Sequence, residues 1–132
     1  MRSSHLFLLL ALACARSTPP TTVVGLDQDV VLTPGNVVAI ANSDVRLSFD
    51  RVSADSRCPT DVVCVWAGNA TAHIRVTNNG EVPREFAINS TTAPRDAAFD
   101  GFQLKFVSLS PVPVSTVRID PKDYRLTVRL ER

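Results

Sequence analysis

Tyr124-Arg-Leu-Thr-Val-Arg-Leu130 sets Tyr124, Leu126, Val128 and Leu130 on one side of an extended chain and Arg125, Thr127 and Arg129 on the other. Alternation with a period of two means a strand with one face on a core and one face in water. Val45-Arg-Leu-Ser-Phe49 and Phe102-Gln-Leu-Lys-Phe106 repeat the pattern. No stretch sustains a period of 3.6, and nine prolines punctuate the remainder. Short antiparallel strands at such spacing predict an all-β domain. We expect an antiparallel β-sandwich, or a small open barrel, of about seven strands.

Two local irregularities are legible as well. After Phe49 and after Phe106 the alternation slips, with the next apolar residues at Val52 and Leu109, as a bulge or bend would produce. These matching slips also allow a two-fold internal pseudo-repeat. The Asn78-Asn-Gly-Glu81 turn predicts a hairpin, for which a two-residue Asn79-Gly80 loop is the default. That register would set Ile74 against Glu85. A one-residue slip pairs Ile74 with Phe86, Ala72 with Ile88 and Arg75 with Glu85, so burial favours a three-residue loop or a bulge.

The chain opens with a basic start and an eight-residue apolar run at 6–13, far short of the roughly 18–20 residues that cross a bilayer. This is the form of an export signal. Ala11-Leu-Ala13 suits ordinary signal peptidase, which would release a secreted soluble protein. Leu10-Ala-Leu-Ala-Cys14 also resembles the cleavage and lipidation box of bacterial lipoproteins. That resemblance implies a signal peptide at 1–13, an acylated Cys14 and attachment to a membrane of the cell envelope. Residues 14–22, with a Pro pair and no apolar periodicity, read as a tether, and 23–132 as one β-domain.

Beyond the leader, the 13 basic and 13 acidic side chains balance, so nucleic-acid binding has no electrostatic support. Two cysteines remain, Cys58 and Cys64, around the five residues Pro59-Thr-Asp-Val-Val63. In an oxidising compartment they should form one disulfide, with a chain-entropy contribution of roughly 2 to 2.5 kcal/mol. Their spacing fits neither an immunoglobulin bridge nor a zinc ribbon.

The run Asp55-Ser-Arg-Cys-Pro-Thr-Asp-Val-Val-Cys-Val-Trp-Ala-Gly68 resembles a signature of small bacterial secreted proteins and lipoproteins of unassigned function. The resemblance implies an exported or lipid-anchored β-domain and carries no activity. The loop has two readings. In one it is a staple between strands, with Trp66 packed on the sulfurs and Gly68 at a bulge. In the other, residues 59–63 form a pre-organised recognition loop. Arg57, Pro59, Thr60, Asp61 and Trp66 are then the candidate binding residues.

Catalytic chemistry finds little support. His73, the one histidine beyond the leader, should point to solvent beside Thr71 and Arg75, with nothing to hold it as a Ser-His-Asp hydrolase requires. Asp50, Asp55 and Asp61 are interleaved with Arg51 and Arg57 and read as turn residues, not as a glycosidase pair. Neither they nor Asp96 and Asp100 lie in a calcium-loop pattern, so no metal and no cofactor is implied. The expectation is a non-enzymatic binding or structural module whose partners are the membrane and an envelope protein or polymer. An inhibitor of a secreted hydrolase presenting the Cys58–Cys64 loop is the first alternative, and a small hydrolase the second.

Overall fold

Alternating residues build two sheets whose apolar faces meet. The computed structural model describes residues 21–132. The leader, Cys14 and most of the tether lie outside them. The strands are β1 (Thr22–Val24), β2 (Asp29–Leu32), β3 (Val37–Ile40), β4 (Arg46–Asp55), β5 (Ala70–Thr77), β6 (Arg84–Asn89), β7 (Asp96–Phe99), β8 (Phe102–Ser110) and β9 (Arg125–Glu131). One sheet runs β1-β3-β4-β5-β6 and the other β2-β9-β8-β7. The architecture is a sandwich, not a closed barrel. It has nine strands where about seven were expected, because three- and four-residue strands are too short to show alternation. β1 begins at Thr22, which the sequence reading had given to the tether.

The core lies between the sheets. Leu47, Phe49, Ala72, Ile74 and Ile88 from one sheet face Leu32, Leu104, Leu126, Val128 and Leu130 from the other, all essentially inaccessible to water. In β9 the pattern read from sequence holds residue by residue. Both slips are present too. The β4–β5 ladder shifts between Phe49 and Arg51 and again between Val52 and Ala54, and the β8–β9 ladder between Phe106 and Ser108. The second shift turns Val107 outward and returns Leu109 to the core. The hairpin takes the register that burial favours: Ile74 opposite Phe86, Ala72 opposite Ile88, Arg75 opposite Glu85. Its turn closes with the Glu81 N–H donating to the Asn78 carbonyl at 3.0 Å. Gly80 takes φ 76° there, while Asn79 keeps a negative φ, so this is not the type I′ turn of a two-residue loop.

The strand directions give the sandwich two distinct ends. β4 runs toward the cysteines, which lie in the connection at 56–69, and the connections at 90–95 and 111–124 emerge at the same end. β3 is antiparallel to β4 and β1 is parallel to β3, so the chain enters β1 from the cysteine end. The opposite end carries the turns at 25–28, 41–45, 78–83 and 100–101.

Candidate functional site

Asp55, the last residue of β4, organises the cysteine end. Its carboxylate accepts from Arg57 Nε (2.8 Å) and Nη2 (2.7 Å), and from the Tyr124 hydroxyl (3.0 Å). Arg57 continues across the gap between the sheets, donating to the Leu109 carbonyl and to the Pro111 carbonyl (3.0 Å for the latter). Burial by itself would raise the Asp55 carboxyl. Hydrogen bonds from Arg57 and Tyr124, with the Arg57 charge, outweigh it and hold the group below its ordinary value of 3.8. Burial and the facing Asp55 push the Tyr124 phenol the other way, upward.

Beyond this hub the β4–β5 connection continues as a narrow ribbon. The Ser56 N–H donates to the Asn69 carbonyl (2.7 Å) and the Cys58 N–H to the Ala67 carbonyl (3.0 Å). The ribbon closes tightly because residue 68 is glycine. Gly68 takes φ +70°, and a Cβ there would lie 1.8 Å from the Ser56 carbonyl oxygen. Asn69 braces the ribbon on its other side, its Oδ1 accepting from the Thr91 N–H at 3.0 Å and the Thr92 N–H at 3.3 Å. Cys58 and Cys64 then close a ring, joined by a disulfide with their Cα atoms 5.9 Å apart.

The ring is docked on the β8–β9 connection. The Thr60 N–H donates to the Pro113 carbonyl at 2.9 Å, and Asp61 accepts from both the Ser115 N–H (2.9 Å) and the Ser115 hydroxyl. The Ser115 hydroxyl, then its N–H, lowers the Asp61 carboxyl below the usual range. Two loops thus form one braced protrusion, which we term the tip.

What the tip presents differs from the sequence expectation. Arg57 is not a free contact of a recognition loop; its side chain is only 13% exposed and serves as a strut between the sheets. Thr60 and Asp61 point to Pro113 and Ser115 and so hold the ring in place. Trp66 is not packed on the sulfurs. It is 82% exposed, with Val63 at 102% and Val65 at 91%, and with Val62, Val112, Val114 and Val117 also exposed. Gly68 marks a close approach of two backbones within a connection, not a bulge in a strand. The tip is therefore polar inside and apolar outside, the reverse of an ordinary surface loop. Exposed apolar side chains gathered on two loops docked together mark a candidate interaction site.

A second constellation was not foreseen. His73 on β5 is held on both sides: Nε2 lies 2.8 Å from the Ser53 hydroxyl and Nδ1 2.7 Å from the Glu85 carboxylate. Its side chain is 15% exposed, so the expected free surface histidine is corrected. Hydrogen bonds first from Arg51 and then from His73 lower the Glu85 carboxyl. The missed residue is Ser53, which the bulge between Val52 and Ala54 turns toward His73. Acid, imidazole and hydroxyl stand in the order of a hydrolase triad. The three lie on the outer face of the sheet, where Glu85 is shared with Arg51 (3.2 Å).

Among the described residues no group of three or more His, Cys, Asp or Glu side chains is placed to hold a metal. No helix of the described residues is long and apolar enough to cross a membrane. Comparison with protein-family models, with curated proteins and with solved structures finds no match to this chain.

Proposed function

We propose that this protein is an exported, lipid-anchored module of the bacterial cell envelope that acts by binding, not by catalysis, with the tip as its binding surface. The observation that carries the reading is the exposure of Val63, Val65 and Trp66 on a backbone already fixed by the disulfide, the Gly68 contact and the bonds to residues 113–115. Ordering a loop before it meets a partner lowers the cost of association. Aromatic anchors in such positions supply most of the energy of many interfaces. The leader and Cys14 supply the address, and the disulfide suits an oxidising compartment. Inhibition of a secreted hydrolase is a narrower form of this reading. Its contacts would fall on Val62, Val63 and Trp66, because Thr60 and Asp61 are already engaged.

Two measurements test it. A tagged fatty acid supplied to bacteria expressing the full chain should label the wild type and not the Cys14→Ser variant; equal labelling, or none, removes the anchor. Envelope material retained by the wild type should fall about tenfold with Trp66→Ser, as the loss of one buried aromatic contact implies. Equal retention would move recognition away from the tip.

The Ser53–His73–Glu85 chain favours a second reading, a small hydrolase. On the binding reading, wild type, Ser53→Ala and His73→Ala should all leave an activated acyl ester at its buffer rate of hydrolysis. Turnover by the wild type that both variants lose would establish the enzyme.

A further inference from the structure

The outer loops of the tip carry one charge, the Asp61 carboxylate, which accepts from the Ser115 N–H and hydroxyl. The other charges of the connections at this end, Arg57, Arg95, Arg118, Asp120, Lys122 and Asp123, leave it without an acidic excess. Neither Val62-Val-Cys-Val-Trp-Ala-Gly-Asn69 nor Ser110-Pro-Val-Pro-Val-Ser-Thr-Val117 contains an ionisable Asp, Glu, Lys, Arg or His. The opposite end is acidic in its turns, which carry Asp27, Asp44, Glu81 and Asp100. An anionic lipid surface repels the second and accepts the first. A protein groove would ordinarily be matched by some charge or hydrogen-bonding rim, whereas valines flanking a tryptophan suit the boundary between headgroups and acyl chains, where tryptophan concentrates.

The position of the anchor agrees. The chain enters β1 from the cysteine end, and Cys14 lies eight residues before Thr22. Those eight residues span at most about 26–29 Å when extended. Through the register, Thr22 lies level with Val38, Leu47 and Val76, and six residues of β5 separate Val76 from Ala70 at the base of the tip. At about 3.3 Å per residue the base of the tip is some 20 Å above Thr22. A lipid on Cys14 is therefore within the reach of the base of the tip.

We infer that the tip is a second membrane contact: Trp66, Val63 and Val65 insert into the interface of the bilayer that holds the acyl anchor, and fix the domain upright with its acidic end away from the lipid. The inference rests on the tip being the binding surface. An anchor and a tip on one chain act together, since insertion of the second becomes intramolecular once the first is in place.

Trp66 is the only tryptophan of the chain, so its fluorescence reports on the tip directly. With Cys58 and Cys64 joined, Cys14 is the one free thiol of the chain that begins there. It can be coupled to a maleimide lipid in phosphatidylethanolamine–phosphatidylglycerol vesicles, which makes the test independent of acylation in the cell. We expect Trp66 emission to shift to the blue and to be quenched by brominated acyl chains. The double variant Val63→Asp/Val65→Asp, folded by circular dichroism, should lose both effects. Emission unchanged by coupling would overturn the inference. So would a shift that grows with protein concentration without lipid, which would make the occupant a second copy of the chain. A shift produced only by lipid-stripped envelope protein would assign the tip to a protein partner and overturn it equally. Labelling of Cys14 without quenching would sink the second contact alone; quenching without labelling would sink the anchor alone.

Discussion

Arg57→Ala is expected to lower the stability of the domain by about 2–4 kcal/mol, the range for breaking a buried ion pair with a discount for its residual exposure. The loss has three parts. Asp55 keeps its place at the end of β4 with only the Tyr124 hydroxyl and lacks its counter-charge. The carbonyls of Leu109 and Pro111 lose their donor. The link between the two sheets at the cysteine end then depends on the Tyr124–Asp55 bond and on the bonds from Thr60 and Asp61. Arg57→Lys should recover only part of the loss, because a single ammonium cannot grip a carboxylate in two places and reach two carbonyls as well.

The same substitution has a pH signature. Asp55 is held below its ordinary value of 3.8 in the fold, so its contribution is fully present above that value and is lost as pH falls through the lowered one. Without Arg57, burial dominates and the carboxyl moves up. The gap in stability between wild type and variant should therefore be widest near neutral pH and narrow as pH falls through the lowered Asp55 value, leaving the share that comes from the Leu109 and Pro111 carbonyls. Urea denaturation at pH 7 and at pH 3 measures it. A gap of the same size at both would mean that Arg57 acts through packing and not through charge.

Gly68→Ala is the second large effect. The left-handed φ of +70° costs a residue with a Cβ roughly 1–2 kcal/mol. The contact with the Ser56 carbonyl, at 1.8 Å, cannot be met at all without moving one limb of the ribbon. Overpacking of that severity adds typically 1–3 kcal/mol. A total of about 2–5 kcal/mol follows, unless the ribbon opens. Opening would separate Cys58 from the Ala67 carbonyl and free the segment that carries Trp66. The two responses differ in solution: strain lowers the midpoint of thermal unfolding, whereas opening leaves the midpoint and exposes the amides of Ser56 and Cys58 to hydrogen exchange. Wild-type behaviour in both would show that the close approach at Gly68 is relaxed in solution.

Where the sequence is informative, one property carries it: an apolar residue on the wrong face is costly. That rule places β9, settles the β5–β6 register and marks the slips after Phe49 and Phe106. It is silent about β1, β2, β3 and β7, which are too short to alternate more than once or twice. The tip was half legible. The two cysteines and their ring stand out, but burial logic assigns Trp66 to the sulfurs and Arg57 to water, and both assignments are reversed. Two polar partners of Arg57, the Leu109 and Pro111 carbonyls, lie more than fifty residues away. Backbone groups have no letter in the sequence, so nothing announces them. Ser53 escapes notice for a related reason, since a bulge changes which face a residue occupies and only the folded ladder shows where it falls.

The short parallel pairing of β1 with β3 bears on how the domain responds to mechanical load. A pull through the N-terminal segment acts along β1, toward the cysteine end, and is met in shear by a ladder of three residue pairs, Thr22–Val38 to Val24–Ile40. Shear loads all those bonds at once instead of one by one, so the strand resists until it yields as a whole. When it yields, the slack is limited where the Asp27 N–H donates to the Leu130 carbonyl of β9 at 2.8 Å, ahead of the β2–β9 ladder. The five residues 22–26 are released, about 17–18 Å of extended chain. β1 is an edge strand, so the remaining strands of both sheets keep their neighbours. β1 is thus a mechanical fuse, set between whatever holds the N-terminal segment and the body of the protein.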